Sequence, residues 1–388
     1  MFGRFNERRC WSNCLNRFRA LPSSILQHVH VAEFWLPKVF EQTGYPYARL
    51  SVDPAKGRDF EWVYWWMENG SMNGMTPSRP AEVSSVPPRS FATGSRRMEA
   101  PVRAGGGGFP AEAGRYHLYV SLACPWAHRA LIFRSLKGLD NTIGVSIVNP
   151  YMGDHGWTFE EAPGVVPDPV ESAQYLYEVY LRAAPDYSGR VTVPVLWDLQ
   201  RDTMVSNESA DIIRMLNSAF DGLNAVEGDY CPAPLVRQID EINAHVYDAV
   251  NNGVYKVGFA TSQRVYENAV TVLFNCLDEL EERLGRQRYL LGDQVTEADW
   301  RLFTTLLRFD PVYHGHFKCN LRRLIDYRNL WGFTRELYQW PGVAPTVNLR
   351  HIKEHYYRSH PTINPNGIVP AGPLLDFEQP HDRGIAAG

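Results

Sequence analysis

In Tyr116-His-Leu-Tyr-Val-Ser-Leu-Ala-Cys124-Pro-Trp-Ala-His-Arg129 a strand-like run gives way to a helix-like one. Residues 116–122 have the aromatic and β-branched character of a buried strand. Pro125 suits the first position of a helix, where its missing N–H would have no partner in any case. The helix is predicted to run to about Leu136, with Gly138 as its stop. Cys124 then lies at the positive end of the helix dipole, beside unsatisfied N–H groups, with His128 and Arg129 in the next turn. Such placement favours a thiolate, so the reading is a nucleophile at neutral pH. The alternative is a buried structural cysteine, and the strand–Cys–Pro–helix pattern weighs against it.

A dithiol oxidoreductase would carry Cys-x-x-Cys, but the fourth position here is Ala127. A mixed disulfide formed on Cys124 must therefore be resolved by an outside thiol, such as glutathione.

The module continues outward from this junction. Residues 142–148 read as a second strand and residues 167–184 as a helical stretch. Arg190-Val-Thr-Val-Pro-Val-Leu-Trp197 reads as a strand interrupted by Pro194, a poor residue for a central strand. A cis Val193–Pro194 bond would account for it, with the Val193 backbone turned outward to pair with an extended peptide. A hairpin over residues 198–204 leads to Asn207-Glu-Ser and a helix over residues 210–216. Glu208 and Ser209 then stand at a helix N-terminus, fit to hold a carboxylate, and Glu208 can accept an ammonium group. An ordinary helix cap is the plainer reading of the same residues. From about Gly228 the chain turns helical, over residues 235–250, 263–284 and 301–308, with Thr296-Glu-Ala-Asp299 spaced as a capping box. The result is a βαβ…ββα module of thioredoxin-like type followed by an all-α domain.

Composition narrows the function. The 388 residues suffice for two domains, and a net charge of −4 gives no footprint for nucleic acid. No apolar run is long enough to span a bilayer. Six scattered cysteines make no disulfide framework and fit a reducing compartment. The first 36 residues are arginine-rich and acid-poor, like an organellar presequence. An accessory or disordered extension, or a mis-chosen start, are the alternatives. The compartment is then cytoplasmic, or mitochondrial or plastid if the segment is a presequence. Cys10 and Cys14 have no convincing zinc pattern, and residues 69–108 read as an irregular Ser/Pro/Gly-rich lead-in. Gly105-Gly-Gly-Gly108 lacks the Gly-Lys-Ser/Thr of a phosphate loop. His351-Ile-Lys-Glu354-His355 matches a metalloprotease spacing but shows no third ligand, so no metal is expected there.

Several stretches together resemble the xi-class glutathione transferases, the glutathionyl-hydroquinone reductases. They are the Cys124 segment, Gly156-Trp157-Thr-Phe, Tyr187-Ser-Gly-Arg-Val-Thr-Val-Pro-Val-Leu-Trp197 and Val205-Ser-Asn-Glu-Ser-Ala210. Asn251-Asn-Gly-Val-Tyr255-Lys-Val-Gly-Phe-Ala, Arg308-Phe-Asp-Pro-Val-Tyr313 and the tail His355-Tyr-Tyr-Arg-Ser-His-Pro-Thr-Ile-Asn-Pro365 continue the resemblance. It spans roughly residues 109–380. It implies a glutathione transferase fold: an extension over 1–89, a glutathione-binding domain over 90–222, a helical domain over 223–360 and a tail over 361–388. It implies that Cys124 is the nucleophile and that Tyr255 protonates the leaving hydroquinone. Tyr313 and Tyr356 are implied to lower the thiol pKa. Trp157, the backbone of Arg190, Val191, Thr192 and Val193, and the Glu208–Ser209 pair are implied to hold glutathione. Each tyrosine also has a plain reading as a core aromatic. The implied reaction is reduction of glutathionyl-hydroquinones through a Cys124–glutathione disulfide, with glutathione as cosubstrate and no bound cofactor, in a twofold homodimer. A thiol transferase acting on other glutathione mixed disulfides, or a non-enzymatic docking module, would share the fold.

Overall fold

A computed structural model describes residues 102–103 and 108–383. The arginine-rich segment, Cys10, Cys14, the lead-in up to residue 101 and the glycines at 105–107 lie outside the described residues.

Four strands form one mixed sheet: β1 (Tyr116–Val120), β2 (Ile143–Ile147), β3 (Val195–Asp198) and β4 (Thr203–Ser206), in the order β2-β1-β3-β4. β1 runs parallel to β2 and antiparallel to β3, which pairs antiparallel with β4. Every β1 side chain is buried, as its apolar and aromatic composition requires of a central strand. Helix α1 (Pro125–Leu136) makes the β1–β2 crossover, and α3 (Ser209–Ser218) packs against it. The helical part follows with α4 (Val236–Val246), α5 (Gly253–Gly258), α6 (Gln263–Arg286), α7 (Glu297–Arg308), α8 (Arg328–Tyr338) and α9 (Leu349–Ser359). Two π-turns, Tyr247–Asn251 and Phe309–Tyr313, follow α4 and α7 without a break. The longest contact between the two parts runs from α7 onto α1, the helix that Cys124 caps. No described helix is long and apolar enough to cross a membrane.

Two expected elements are shorter than their sequence suggests. The stretch 167–184 is helical only over α2 (Leu176–Ala183). The Asp168 carboxylate accepts from the N–H groups of Val170, Glu171 and Ala173 and from the Tyr119 hydroxyl, which winds residues 168–173 into a turn. Residues 190–194 are not strand: Pro194 has no N–H to offer, and ladder pairing begins at Val195. The Val193–Pro194 bond is cis, as the sequence suggested.

The capping box on α7 is present. Asp299 accepts from the Thr296 N–H and hydroxyl and from the Leu290 N–H, at 2.8–2.9 Å, with all three groups buried. Replacing Asp299 by Ala orphans two buried N–H groups. We expect a loss of about 2–3 kcal/mol of unfolding free energy, read from the urea midpoint; a loss within error would show the box to be dispensable.

Burial lowers the pKa of His117, His316 and His355 to about 4 and of His360 to about 2, and pushes His128 well below the ordinary value. The native state therefore holds these rings neutral, while the unfolded chain protonates them near 6.5. Their contribution to stability is complete above pH 6.5 and is lost as pH falls from there, toward 4 for His117, His316 and His355 and toward 2 for His360. Urea midpoints should drop steadily across that window, with net proton uptake on unfolding; a flat midpoint contradicts the assignment.

Candidate active site

Cys124 is the N-cap of α1, with extended backbone (φ −75°, ψ 123°), and its thiol donates to the Val193 carbonyl at 3.7 Å. The strand-to-helix junction and the cis-proline loop thus meet at the sulfur. Burial is the strongest influence on this thiol and raises its pKa. The Ala127 N–H, the Arg308 charge, the Trp126 N–H and the Arg129 charge oppose it, in that order. The sequence reading expects a thiolate at neutral pH. The stabilising groups it invokes are in place, but burial outweighs them. His128 adds no positive charge, because burial and the neighbouring Arg308 keep it neutral.

Arg308 was not singled out from sequence for any site role, yet it organises the junction. Its Nε donates to the Ala123 carbonyl at 2.7 Å and its Nη2 to the Leu122 carbonyl at 3.1 Å. Its Nη1 reaches the Thr304 carbonyl at 2.7 Å and His128 Nδ1 at 3.1 Å. The far side of the His128 ring bonds the Thr346 hydroxyl at 2.8 Å. A fully buried guanidinium from the helical part therefore fixes the two residues before Cys124 and the helix after it.

The backbone over residues 190–193 is clasped by two tyrosines. Tyr187 donates to the Arg190 carbonyl at 2.6 Å and Tyr180 to the Thr192 carbonyl at 2.8 Å, while the Thr192 N–H donates to the Tyr180 oxygen. The Asn207 side-chain amide also donates to that oxygen, at 3.2 Å. Val191 and Arg190 are half-buried, Thr192 exposed and Val193 buried.

Glu208 caps α3, accepting from the Ala210 N–H at 3.0 Å, and Ser209 is the first helical residue. The plain capping role is thus occupied, but Glu208 remains exposed to solvent at the helix's positive end. Behind it, buried Arg129 reaches the Ser209 hydroxyl at 3.4 Å and Asn251 Oδ1 at 3.1 Å, and lies 4.4 Å over the Trp126 ring.

Three tyrosine hydroxyls form a chain inside the helical part. Tyr255 and Tyr356 oxygens are 2.5 Å apart, and Tyr313 and Tyr356 oxygens 3.0 Å apart. They come from α5, the second π-turn and α9. Burial raises all three pKa values, Tyr313 to about 12 and the others well above the ordinary value. A negative charge on Cys124 raises Tyr255 and Tyr313 further, which puts both within electrostatic reach of the sulfur. All three are therefore protonated donors at neutral pH. Trp157 is buried and stacks on His355 at 4.8 Å, next in sequence to Tyr356.

The metalloprotease-like spacing on α9 is otherwise engaged. His351 Nε2 bonds the Pro163 carbonyl at 2.7 Å, His355 Nδ1 bonds the Pro150 carbonyl at 3.0 Å, and Glu354 pairs with Arg350. Both imidazoles tie the last helix to the loops that follow β2.

This geometry has relatives. Residues 123–219 match the family model for the glutathione S-transferase N-terminal domain, and residues 263–336 that for the C-terminal domain. Glutathionyl-hydroquinone reductase YqjG of Escherichia coli is 59% identical over 290 residues, covering 74% of this chain and 88% of that protein. The glutathione-bound structure of YqjG superposes with a TM-score of 0.72 at 57% identity, over 74% of this chain and 96% of that one. The xi glutathione transferase of Phanerochaete chrysosporium gives 0.71 at 50% identity, over 74% and 98%. The chain belongs to the glutathione transferase family and, within it, to the xi class.

Proposed function

We propose that this protein reduces glutathionyl-hydroquinones to hydroquinones at the expense of glutathione, with Cys124 as nucleophile. The observation that carries the reading is one sulfur facing the cis-proline loop, with no second thiol in its motif, and a chain of three protonated tyrosines of which Tyr255 and Tyr313 lie within reach of its charge. Close kinship with a protein named for this activity supports it.

The glutathione part of the substrate lies along the backbone of residues 190–193, with its γ-glutamyl end at Glu208 and Ser209 and with Trp157 over it. This sets its sulfur before Cys124. Cys124 loses its proton to solvent and attacks that sulfur as the thiolate, and the sulfur–ring carbon bond breaks. Tyr255 delivers a proton to the ring carbon, so the hydroquinone leaves neutral. Tyr356 donates into the Tyr255 oxygen as the charge develops there, and Tyr313 supports Tyr356. Cys124 is left in a disulfide with glutathione. A second glutathione thiolate attacks that disulfide, releases oxidised glutathione and returns Cys124. The helix N–H groups and Arg308 stabilise the thiolate that both steps pass through. The same sulfur chemistry would serve a thiol transferase; carbon protonation is the step that separates the two reactions.

Two variants test this with a glutathionylated hydroquinone and glutathione, following free hydroquinone and oxidised glutathione. Cys124→Ser should lose activity by at least about a hundredfold and form no glutathione adduct by intact mass; retained turnover would sink the mechanism. Tyr255→Phe should slow hydroquinone release by about a hundredfold or more while leaving the reaction of Cys124 with a simple disulfide nearly unchanged. Equal slowing of both would make Tyr255 structural and leave the thiol-transferase reading in front.

Arg308 gives a separate prediction. Arg308→Met removes a positive charge that favours the thiolate, so the pH profile of Cys124 alkylation should move to higher pH, and Arg308→Lys should restore part of it. A profile that stays in place in a folded Arg308→Met protein would reduce Arg308 to a structural anchor.

A further inference from the structure

Away from Cys124, three ligand-type side chains converge between α4 and α6. His245 stands in the last turn of α4, while Cys276 and Glu279 are three residues apart on one face of α6. His245 Nε2 lies 3.0 Å from Glu279 Oε2 and 3.4 Å from Cys276 Sγ, and the three atoms all fall within 4.8 Å of one another. A single imidazole nitrogen offers one N–H or one lone pair, so it serves one of these partners well and not both. A cation at their common centre serves all three. Tetrahedral zinc, with bonds of about 2.0–2.3 Å, sets neighbouring ligand atoms roughly 3.3–3.6 Å apart, near the 3.0 and 3.4 Å that His245 keeps from its two partners. The donors, one imidazole, one thiol and one carboxylate, suit a borderline-soft divalent ion. Cys276 is buried whereas His245 and Glu279 are exposed, which gives the ion an entry path and one enclosed ligand. A surface cavity of about 250 Å³ opens on His245 and Glu279 and leaves space for a water as fourth ligand. The cations beside it are turned to other partners: Arg283 donates to the Leu290 carbonyl and Arg286 pairs with Glu282.

We propose that His245, Cys276 and Glu279 form a binding site for zinc or a similar divalent transition ion, joining α4 to α6. Binding transfers the Cys276 proton to solvent and leaves a metal-bound thiolate; no electrons move. Because α4 runs directly into the π-turn that carries Asn251, the ion would brace the helix leading to the Arg129 contact.

Full-length protein titrated with cobalt(II) chloride tests this through thiolate-to-cobalt charge-transfer absorption, with zinc chloride as competitor. The absorption should appear in the wild type and persist in Cys124→Ser. It should vanish in Cys276→Ala, and zinc should bind at least about tenfold more weakly to His245→Ala and Glu279→Gln. Zinc should also raise the melting temperature of the wild type but not of His245→Ala. Absence of the absorption in the wild type, or its survival in Cys276→Ala, overturns the proposal. Should Cys276→Ala fail to fold, unchanged affinity in the two exposed variants overturns it equally.

Discussion

Arg308 holds the turn between β1 and α1 from the other half of the molecule. A cysteine at a helix N-terminus is useful only if the chain presents its sulfur to the groove and its N–H groups to the sulfur. That orientation depends on where the carbonyls of Leu122 and Ala123 point, and both are captured by one guanidinium on α7. A buried guanidinium without acceptors would be costly, and two orphaned carbonyls would be costly too. Each satisfies the other, so the helical part completes the Cys124 junction as well as covering it.

The same logic runs through the rest of the site. Tyr180 closes one hydroxyl on Thr192 and Asn207 at once, which joins the cis-proline loop to the start of α3. Arg129 joins that start to Asn251. The tyrosine chain joins α5, the second π-turn and α9. A few hydroxyls and guanidiniums placed between elements fix the relative positions of segments that sequence keeps far apart.

This explains what could be read from the chain before its structure. Local chemistry was legible. Pro125 starts a helix, Thr296 and Asp299 cap one, and Pro194 stands in a cis bond just before a strand, because each acts within a few residues of itself. The reading failed where a distant partner overrides local preference. Residues 168–173 have a helix-compatible pattern, but Asp168 finds Tyr119 and Arg182 and winds the backbone into a turn. Burial of Cys124 escapes the sequence for a related reason: dipole and charges are visible there, whereas the desolvation that opposes them is not. Arg308 and Tyr180 carried no signal that sets them apart from an ordinary surface arginine or core tyrosine. For Arg308 the one clue was its place before the Phe-Asp-Pro-Val-Tyr run.

His355 and Tyr356 are neighbours on α9, yet one stacks on Trp157 and the other belongs to the tyrosine chain. With His351, His355 anchors α9 to the loops after β2. A chimera that exchanged α9 to accommodate a different aromatic ring would therefore also shift the indole assigned to the tripeptide. Under the proposed reaction, recognition of the thiol and recognition of the ring are then joined through α9, and divergence in one must be matched by compensation in the other.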